Sequence, residues 1–295
     1  MMGLRNGGRK RGHDGLSAVM PVRYPAGDHI RKSAMTLFTT LFDPAHDTAL
    51  VTGAGNGIGR AIAQALVGEG VRTVFADLHE DRVSAAVEAT GRPELALPWV
   101  GDLARLESCD ALLASARMSV GGITHFVHSA SPPRREADHA LHVDGRTWHE
   151  MHAVNLDAGF HLAREIAKQL IAAKAPGSFL FLTSLHAGTP RNLPHYSTAK
   201  AGMAMLVKEL AKSFGRYNIR VNALVPGAVA AGGFVADPAL ARHIPLGRLG
   251  RAEDLAPMAL AVLSNRLSAY VTGAAIVVDG GLSLTNWFDP PTLDA

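Results

Sequence analysis

The sequence predicts a single-domain α/β fold, doubly wound, with a mainly parallel sheet and helices on both faces. Three observations carry that expectation. Residues 48–77 read as strand, glycine turn, helix and strand. Beyond them, short apolar runs alternate with longer stretches of helical periodicity. Prolines and glycines punctuate turns without forming a linker that would divide the chain.

The first unit is the most specific. Ala49-Leu50-Val51 is the apolar run that a buried parallel strand requires. Thr52-Gly53-Ala54-Gly55-Asn56-Gly57-Ile58-Gly59 follows, then a helix whose Ile62 and Leu66 lie one turn apart. Gly68 and Gly70 end that helix, and Thr73–Ala76 is a second strand with Asp77 at its carboxyl end. Gly53 permits a sharp turn, Gly57 a close backbone approach to a ligand, and Gly59 close packing of helix on sheet. The helix N-terminus offers N–H groups and a positive dipole end to a pyrophosphate, so Asn56 and Ile58 join the candidate binding set. Asp77 can accept hydrogen bonds from ribose hydroxyls and would repel a 2′-phosphate, which argues for NAD over NADP. The strand before, the helix after and the acid about 20 residues on are the context this motif demands. The alternative is a glycine-rich turn without a ligand.

Composition fits a globular chain: 295 residues, 47% hydrophobic and 19% charged, enough for one large α/β domain or two small ones. No apolar run approaches the length of a membrane span. The single cysteine, Cys109, excludes an internal disulfide, and a reducing, cytoplasmic setting is expected. Residues 1–45 carry seven Lys/Arg and three acids, the rest of the chain 22 and 23, so the basic excess lies in the first segment. Residues 1–45 therefore read as a poorly ordered basic leader without the apolar core of a secretory signal, 46–285 as the catalytic domain, and 286–295 as a tail. The near-neutral body gives no reason to expect nucleic acid or membrane as a partner.

The remaining elements follow in order. A helix is expected around 80–89, with Val83 and Val87 one turn apart, then a third strand near Leu95–Val100. Gly101-Asp102-Leu103 ends it, and Asp102 suits a helix N-cap ahead of a helix over 104–120. Ile123–Val127 is a fourth strand, followed by His128-Ser129-Ala130-Ser131. Pro132-Pro133-Arg134-Arg135 makes a rigid basic loop at the mouth of the site, its arginines meeting either an anionic substrate group or water. His139, His142, His149 and His152 follow; no thiol or tight carboxylate set accompanies them, so solvated imidazoles are expected and no metal is assigned. Thr147 to Leu170 reads as one long helix with Trp148, Met151, Val154, Phe160, Ala163, Ile166, Ala167 and Leu170 on its apolar face, interrupted by Asn155. Phe179–Leu182 is the fifth strand and delivers Thr183-Ser184. Tyr196 and Lys200 are then i and i+4 on one helix face. A lysine ammonium there favours the phenolate and suits Tyr196 to proton transfer. Alone this spacing is common by chance; behind a nucleotide fold and a strand-end serine it is a strong signal.

With these residues in view, the chain resembles the short-chain dehydrogenase/reductase family over residues 48–281. The T-G-x-x-x-G-x-G turn, Asp77, Asn155, Ser184, Tyr196-Ser197-Thr198-Ala199-Lys200, Arg220-Val221-Asn222-Ala223, Pro226-Gly227, Ile244-Pro245-Leu246-Gly247-Arg248 and Val278-Asp279-Gly280-Gly281 carry the resemblance. It implies a seven-stranded Rossmann fold and hydride transfer between NAD(H) and a secondary alcohol or carbonyl. In the roles it implies, Tyr196 is the acid/base, Lys200 assists it and bonds the nicotinamide ribose, Ser184 positions the substrate oxygen, and Asn155 distorts its helix and holds a water of the proton relay. It puts Asp102 and Leu103 at the adenine, Ala130 beneath the ribose, and Pro226, Gly227 and Val229 near the nicotinamide. It also implies a homo-oligomer, a dimer or tetramer, with the 147–170 helix and the helix from Tyr196 at interfaces.

Departures from the family pattern are equally concrete. His128-Ser129-Ala130-Ser131 stands where N-N-A-G is usual, and Ala228-Val229-Ala230-Ala231 replaces the run that often holds a threonine. The segment from Gly232 to His243, where the family places its substrate lid, is short and rich in small residues. The expected small-molecule substrate is a sugar, sugar acid or polyol. The alternatives are reduction of a 3-oxoacyl thioester, or a catalytically silent NAD-binding protein, against which the complete Ser184, Tyr196 and Lys200 set argues.

Overall fold

The computed structural model describes residues 40–135, 137–231 and 238–284. Residues 1–39 of the expected leader, the expected tail and residues 232–237 of the lid segment lie outside the described residues.

Seven parallel strands form one sheet in the order β3-β2-β1-β4-β5-β6-β7. They are β1 (Thr48–Thr52), β2 (Arg72–Asp77), β3 (Ala96–Val100), β4 (His125–His128), β5 (Gly177–Leu182), β6 (Ile219–Pro226) and β7 (Ala275–Val278). Every connection is a crossover, because parallel neighbours cannot be joined by a hairpin. Strand order reverses between β1 and β4, so Thr52 pairs with Ala76 on one side and His128 on the other. In such a sheet the crevice at the carboxyl ends beside the switch is where ligands bind.

Alternation along the strands builds two cores. On one face Ala49, Val51, Phe75, Leu180 and Leu224 pack against α1 (Gly57–Gly68), which supplies Ile62 and Leu66. On the other, Leu50, Val74, Phe126, Phe179 and Phe181 meet α3 (Leu106–Val120), α5 (Gly159–Ala173) and α6 (Pro194–Phe214). The shorter α2 (Glu80–Glu88) buries Val83 and Ala86, and α7 (Ala256–Leu263) lies beside α1. Phe126 takes Phe179 and Phe181 edge-on at 5.8 and 6.0 Å, the preferred geometry for aromatic pairs. Cys109 lies fully inside the second core, where burial pushes its thiol up to about 11.

Three expectations change. The helix expected over 147–170 is three pieces: α4 (Gly145–His152), a π-helical segment (Ala153–Ala158) and α5. The wider π turn shifts the register beyond it, and Phe160 is 41% exposed; Trp148, ahead of it, is 37% exposed, while Met151, Ala163, Ile166 and Leu170 are buried. Residues 40–45, assigned above to the leader, pack on the domain instead. Phe42 is 2% exposed and meets His125 edge-on at 5.3 Å, and Ser264 Oγ donates to the Leu41 carbonyl at 2.8 Å. Asp102 does not cap α3, whose N-cap is Arg105; its Oδ1 accepts from Ala104 N at 2.9 Å in the turn before.

The Arg220-Val221-Asn222 run closes the far end of the sheet. Arg220 donates to the carbonyls of Val262 (2.9 Å), Leu263 (2.9 Å) and Val271 (3.2 Å), to Ser178 Oγ and to Asn265 Oδ1. Burial lowers this guanidinium to about 10, yet several neutral acceptors satisfy its donors. Asn222 bridges β6 and the start of β7, donating to Val271 O and accepting from Ala274 N.

Candidate active site

The glycine turn after β1 is shaped by what it lacks. Gly53 and Gly57 have φ of +67° and +57°, the left-handed region that side chains disfavour. A Cβ on Gly59 would stand 2.2 Å from the Gly53 carbonyl oxygen, and one on Gly53 would stand 2.8 Å from Ala130 N. The turn is therefore closed down onto α1 and onto the chain leaving β4. Asn56 Oδ1 caps α1, accepting from Gly57 N at 2.7 Å. The half-buried Ile58 packs on the first core.

Asp77 folds back on this turn. Its Oδ2 accepts from Gly55 N at 3.0 Å and its Oδ1 from His79 N at 3.2 Å. A Cβ on Gly55 would meet the Asp77 carboxyl carbon at 2.9 Å, so Gly55, absent from the candidate set above, is as constrained as its neighbours. A tight glycine turn without side chains, a helix N-terminus and a carboxylate at the end of β2 together fit an adenine dinucleotide.

The other expected cofactor residues divide. Exposed Asp102 lies just beyond the end of β3, whereas the Leu103 side chain is buried in the second core. Ala130 lies against Gly53. Pro226 ends β6, and Gly227 N donates to Val278 O; a Cβ on Gly227 would lie 2.6 Å from Asp279 Cβ. Val229 pairs with Gly250, and its side chain also turns into the core.

Facing that crevice, Ser184 lies two residues beyond the end of β5, and its Oγ accepts from His186 N at 3.2 Å. Tyr196 and Lys200 lie in the first turns of α6, 5% and 3% exposed. Lys200 Nζ is 5.7 Å from the Tyr196 ring centroid and donates to the Leu182 carbonyl at 2.8 Å. Burial, and then the charge of Arg134, push the Lys200 ammonium down to about 7. Arg134 is the unexpected neighbour: instead of facing open solvent, its guanidinium sits 4.6 Å from the centre of the Tyr196 ring. Arg135 turns aside to Asp138 at 3.5 Å.

Asn155 occupies the π segment and is fully buried. Its Nδ2 donates to Met151 O at 2.9 Å and Ser131 Oγ at 3.2 Å, while its Oδ1 has no protein partner among the described residues. A buried acceptor without a protein partner suits a bound water. His128, next door, hydrogen-bonds Thr52 Oγ1 and the Val154 carbonyl. Neither His128 nor Thr52 carries a sequence signal of its own, because their partners are distant along the chain. His149 and His152 turn back onto the helix carbonyls of Gly145 and Trp148, and no metal-binding cluster of His, Cys, Asp and Glu occurs among the described residues.

Comparison with known proteins gives a consistent picture. Residues 53–283 match a family model described as enoyl-(acyl carrier protein) reductase. The chain is 35% identical over 258 residues to 3beta-hydroxysteroid dehydrogenase 1 of Eggerthella lenta, covering 80% of this chain and 94% of that protein. It is 32% identical to galactitol 2-dehydrogenase (L-tagatose-forming) of Cereibacter sphaeroides, covering 76% and 89%. Among solved structures, 3-ketoacyl-(acyl-carrier-protein) reductase of Brucella melitensis complexed with NADH superposes with a TM-score of 0.76 at 27% identity, covering 82% of this chain and 100% of that one.

Proposed function

Because this chain belongs to the short-chain dehydrogenase/reductase family and is an oxidoreductase of CH–OH groups, we propose that it interconverts a secondary alcohol and its carbonyl using NAD, with Ser184, Tyr196, Lys200 and Asn155 as its catalytic group. The observation that carries this reading is the buried Tyr196–Lys200 pair on one face of α6, with buried Ser184 two residues beyond the end of β5. Bound NAD(H) would supply the hydride acceptor or donor. Gly53, Asn56, Gly57, Ile58 and Gly59 would hold its pyrophosphate, Asp77 its adenosine ribose, and Asp102, Leu103, Ala130, Pro226, Gly227 and Val229 the remaining contacts.

Tyr196 takes the alcohol proton during oxidation and returns it during reduction. Lys200 favours the phenolate by charge and keeps that charge close through its bond to the Leu182 carbonyl. Ser184 donates to the substrate oxygen and orients it. Asn155 Oδ1 anchors the water through which the proton leaves. Asp77, with one carboxylate oxygen held by Gly55 N of the glycine turn and the other by His79 N, favours NAD because a 2′-phosphate would meet its negative charge.

The substrate class we favour is a sugar, sugar acid or polyol. Hydroxyl-rich substrates suit a site whose mouth carries Arg134, His186 and Ser131 as polar groups, and galactitol 2-dehydrogenase is among the relatives. We place the protein in the cytoplasm as a dimer or tetramer. Its single, buried thiol suits a reducing compartment, and half-exposed Trp148, Phe160 and Met205 on α4, α5 and α6 suit an interface.

The test follows NADH absorbance. Purified protein would be offered NAD or NADP with sugars, sugar acids, polyols, hydroxysteroids and 3-hydroxyacyl thioesters. Turnover is expected with NAD and one hydroxylated class. Tyr196→Phe should lower it by about four orders of magnitude while NADH binding is retained. Turnover surviving in Tyr196→Phe would remove Tyr196 from its role, and thioester turnover alone would replace the substrate class.

A further inference from the structure

His128 stands where the family pattern usually carries an asparagine, and its ring reaches two elements at once. It is fully buried between Phe126 and Phe181, with ring centroids 5.9 and 5.7 Å away. Nδ1 lies 2.9 Å from Thr52 Oγ1, and Nε2 lies 3.0 Å from the Val154 carbonyl oxygen. A carbonyl only accepts, so Nε2 carries the proton and Nδ1 is the acceptor. The Thr52 hydroxyl then donates to Nδ1, leaving its oxygen to accept from Ser129 N (3.2 Å) and Ala130 N (3.3 Å). One neutral tautomer satisfies this whole set of bonds. Burial, reinforced by the Lys200 charge, pushes His128 down to about 4, which keeps the ring neutral at physiological pH.

The surroundings are fitted to an imidazole. A Cβ on Gly159 would lie 2.9 Å from His128 Cδ2 and 3.0 Å from Nε2, so the first residue of α5 is a glycine where the ring lies against the helix. Thr52 immediately precedes Gly53 of the nucleotide turn, and Val154 immediately precedes Asn155 of the π segment. Two hydrogen bonds thus run from the end of β1 to the π turn through a single rigid ring.

We propose that His128 is a positioning residue that couples occupation of the nucleotide turn to the placement of Asn155. The inference rests on the dinucleotide reading above. Binding that draws the Gly53 turn toward a ligand pulls on Thr52, and the ring transmits that displacement to the Val154 carbonyl rather than absorbing it. An asparagine at 128 could serve Thr52 but would stop short of Val154.

Hydrogen exchange of peptides spanning residues 151–159, in the full-length chain with and without NADH, tests this. In the wild type, NADH should slow exchange there on the order of fivefold. His128→Gln keeps an N–H near the Nε2 position but no acceptor for Thr52, and should lose the slowing. His128→Asn and His128→Phe should lose it while NADH affinity stays within about threefold, and kcat should fall with little change in the KM for NADH. Retained slowing in His128→Gln, His128→Asn or His128→Phe, or a wild type that binds NADH without slowing, would overturn the coupling and leave the proposed activity standing. A wild type that does not bind NADH would overturn both. Should His128→Phe fail to fold, His128→Asn and His128→Gln, each keeping one of the two bonds, decide the matter in the same way.

Discussion

At the scale of single residues, the catalytic candidates were legible because their relation is local. Tyr196 and Lys200 share a helix face by spacing alone, and Ser184 announces itself at the end of an apolar run. Arg134 and His128 were not legible in their roles, because what defines them is a ring stacked from another element and hydrogen bonds to residues remote in sequence. His128 also has a consequence for stability. Its folded value of about 4 lies below the ordinary 6.5, so between these pH values the unfolded chain binds a proton that the native state excludes. Stability is therefore complete above pH 6.5 and is lost as the pH falls through about 4, by about 3 kcal/mol from this residue. His125, also buried, is pushed down to about 4 and adds to the wild-type effect. Urea unfolding at pH 7 and pH 4.5 should therefore show a smaller drop for His128→Asn than for the wild type. Equal drops would show that His128 does not set this acid limb.

At the scale of elements, the strand–turn–helix unit was read almost whole, since Gly53, Gly57 and Gly59 answer demands visible in their spacing, whereas the demand on Gly55 is set by distant Asp77. Gly59 shows the demand most sharply. In Gly59→Ala the new methyl would meet the Gly53 carbonyl oxygen at 2.2 Å, so either the turn or the helix must move. The variant is expected to lose at least about tenfold in NADH affinity and about 2 kcal/mol in stability, read by fluorescence titration and urea unfolding. Unchanged affinity would separate this turn from nucleotide binding. The π segment was legible only through the resemblance. Apolar periodicity alone gives one continuous helix, because a single wide turn costs the pattern no more than a register slip. That slip is what turns Phe160 outward, where the Arg164 guanidinium lies 5.3 Å from its ring.

At the scale of the whole molecule, seven parallel strands give the protein two unlike ends. The carboxyl ends gather Gly53, Asp77, Ser184 and the first turns of α6. The amino ends carry structural devices instead: Phe42 on His125, and Pro44 beside Gly70. The doubly wound, mainly parallel sheet followed from the alternation of strand and helix patterns, but the anchoring of residues 40–45 did not, since one phenylalanine in a polar stretch has no periodicity to declare it. Sedimentation at micromolar concentration should show a dimer or tetramer, and a monomer would contradict an interface through α4, α5 and α6. The lone thiol gives this polarity a practical use. Cys109 is sealed in the core and held protonated, so thiol-selective reagents have no accessible native thiol. A cysteine introduced at exposed Ala45 would be the one reactive handle on the surface. Maleimide chemistry at that point would graft the enzyme to a bead or electrode in a single orientation, with its catalytic mouth turned outward to the solution.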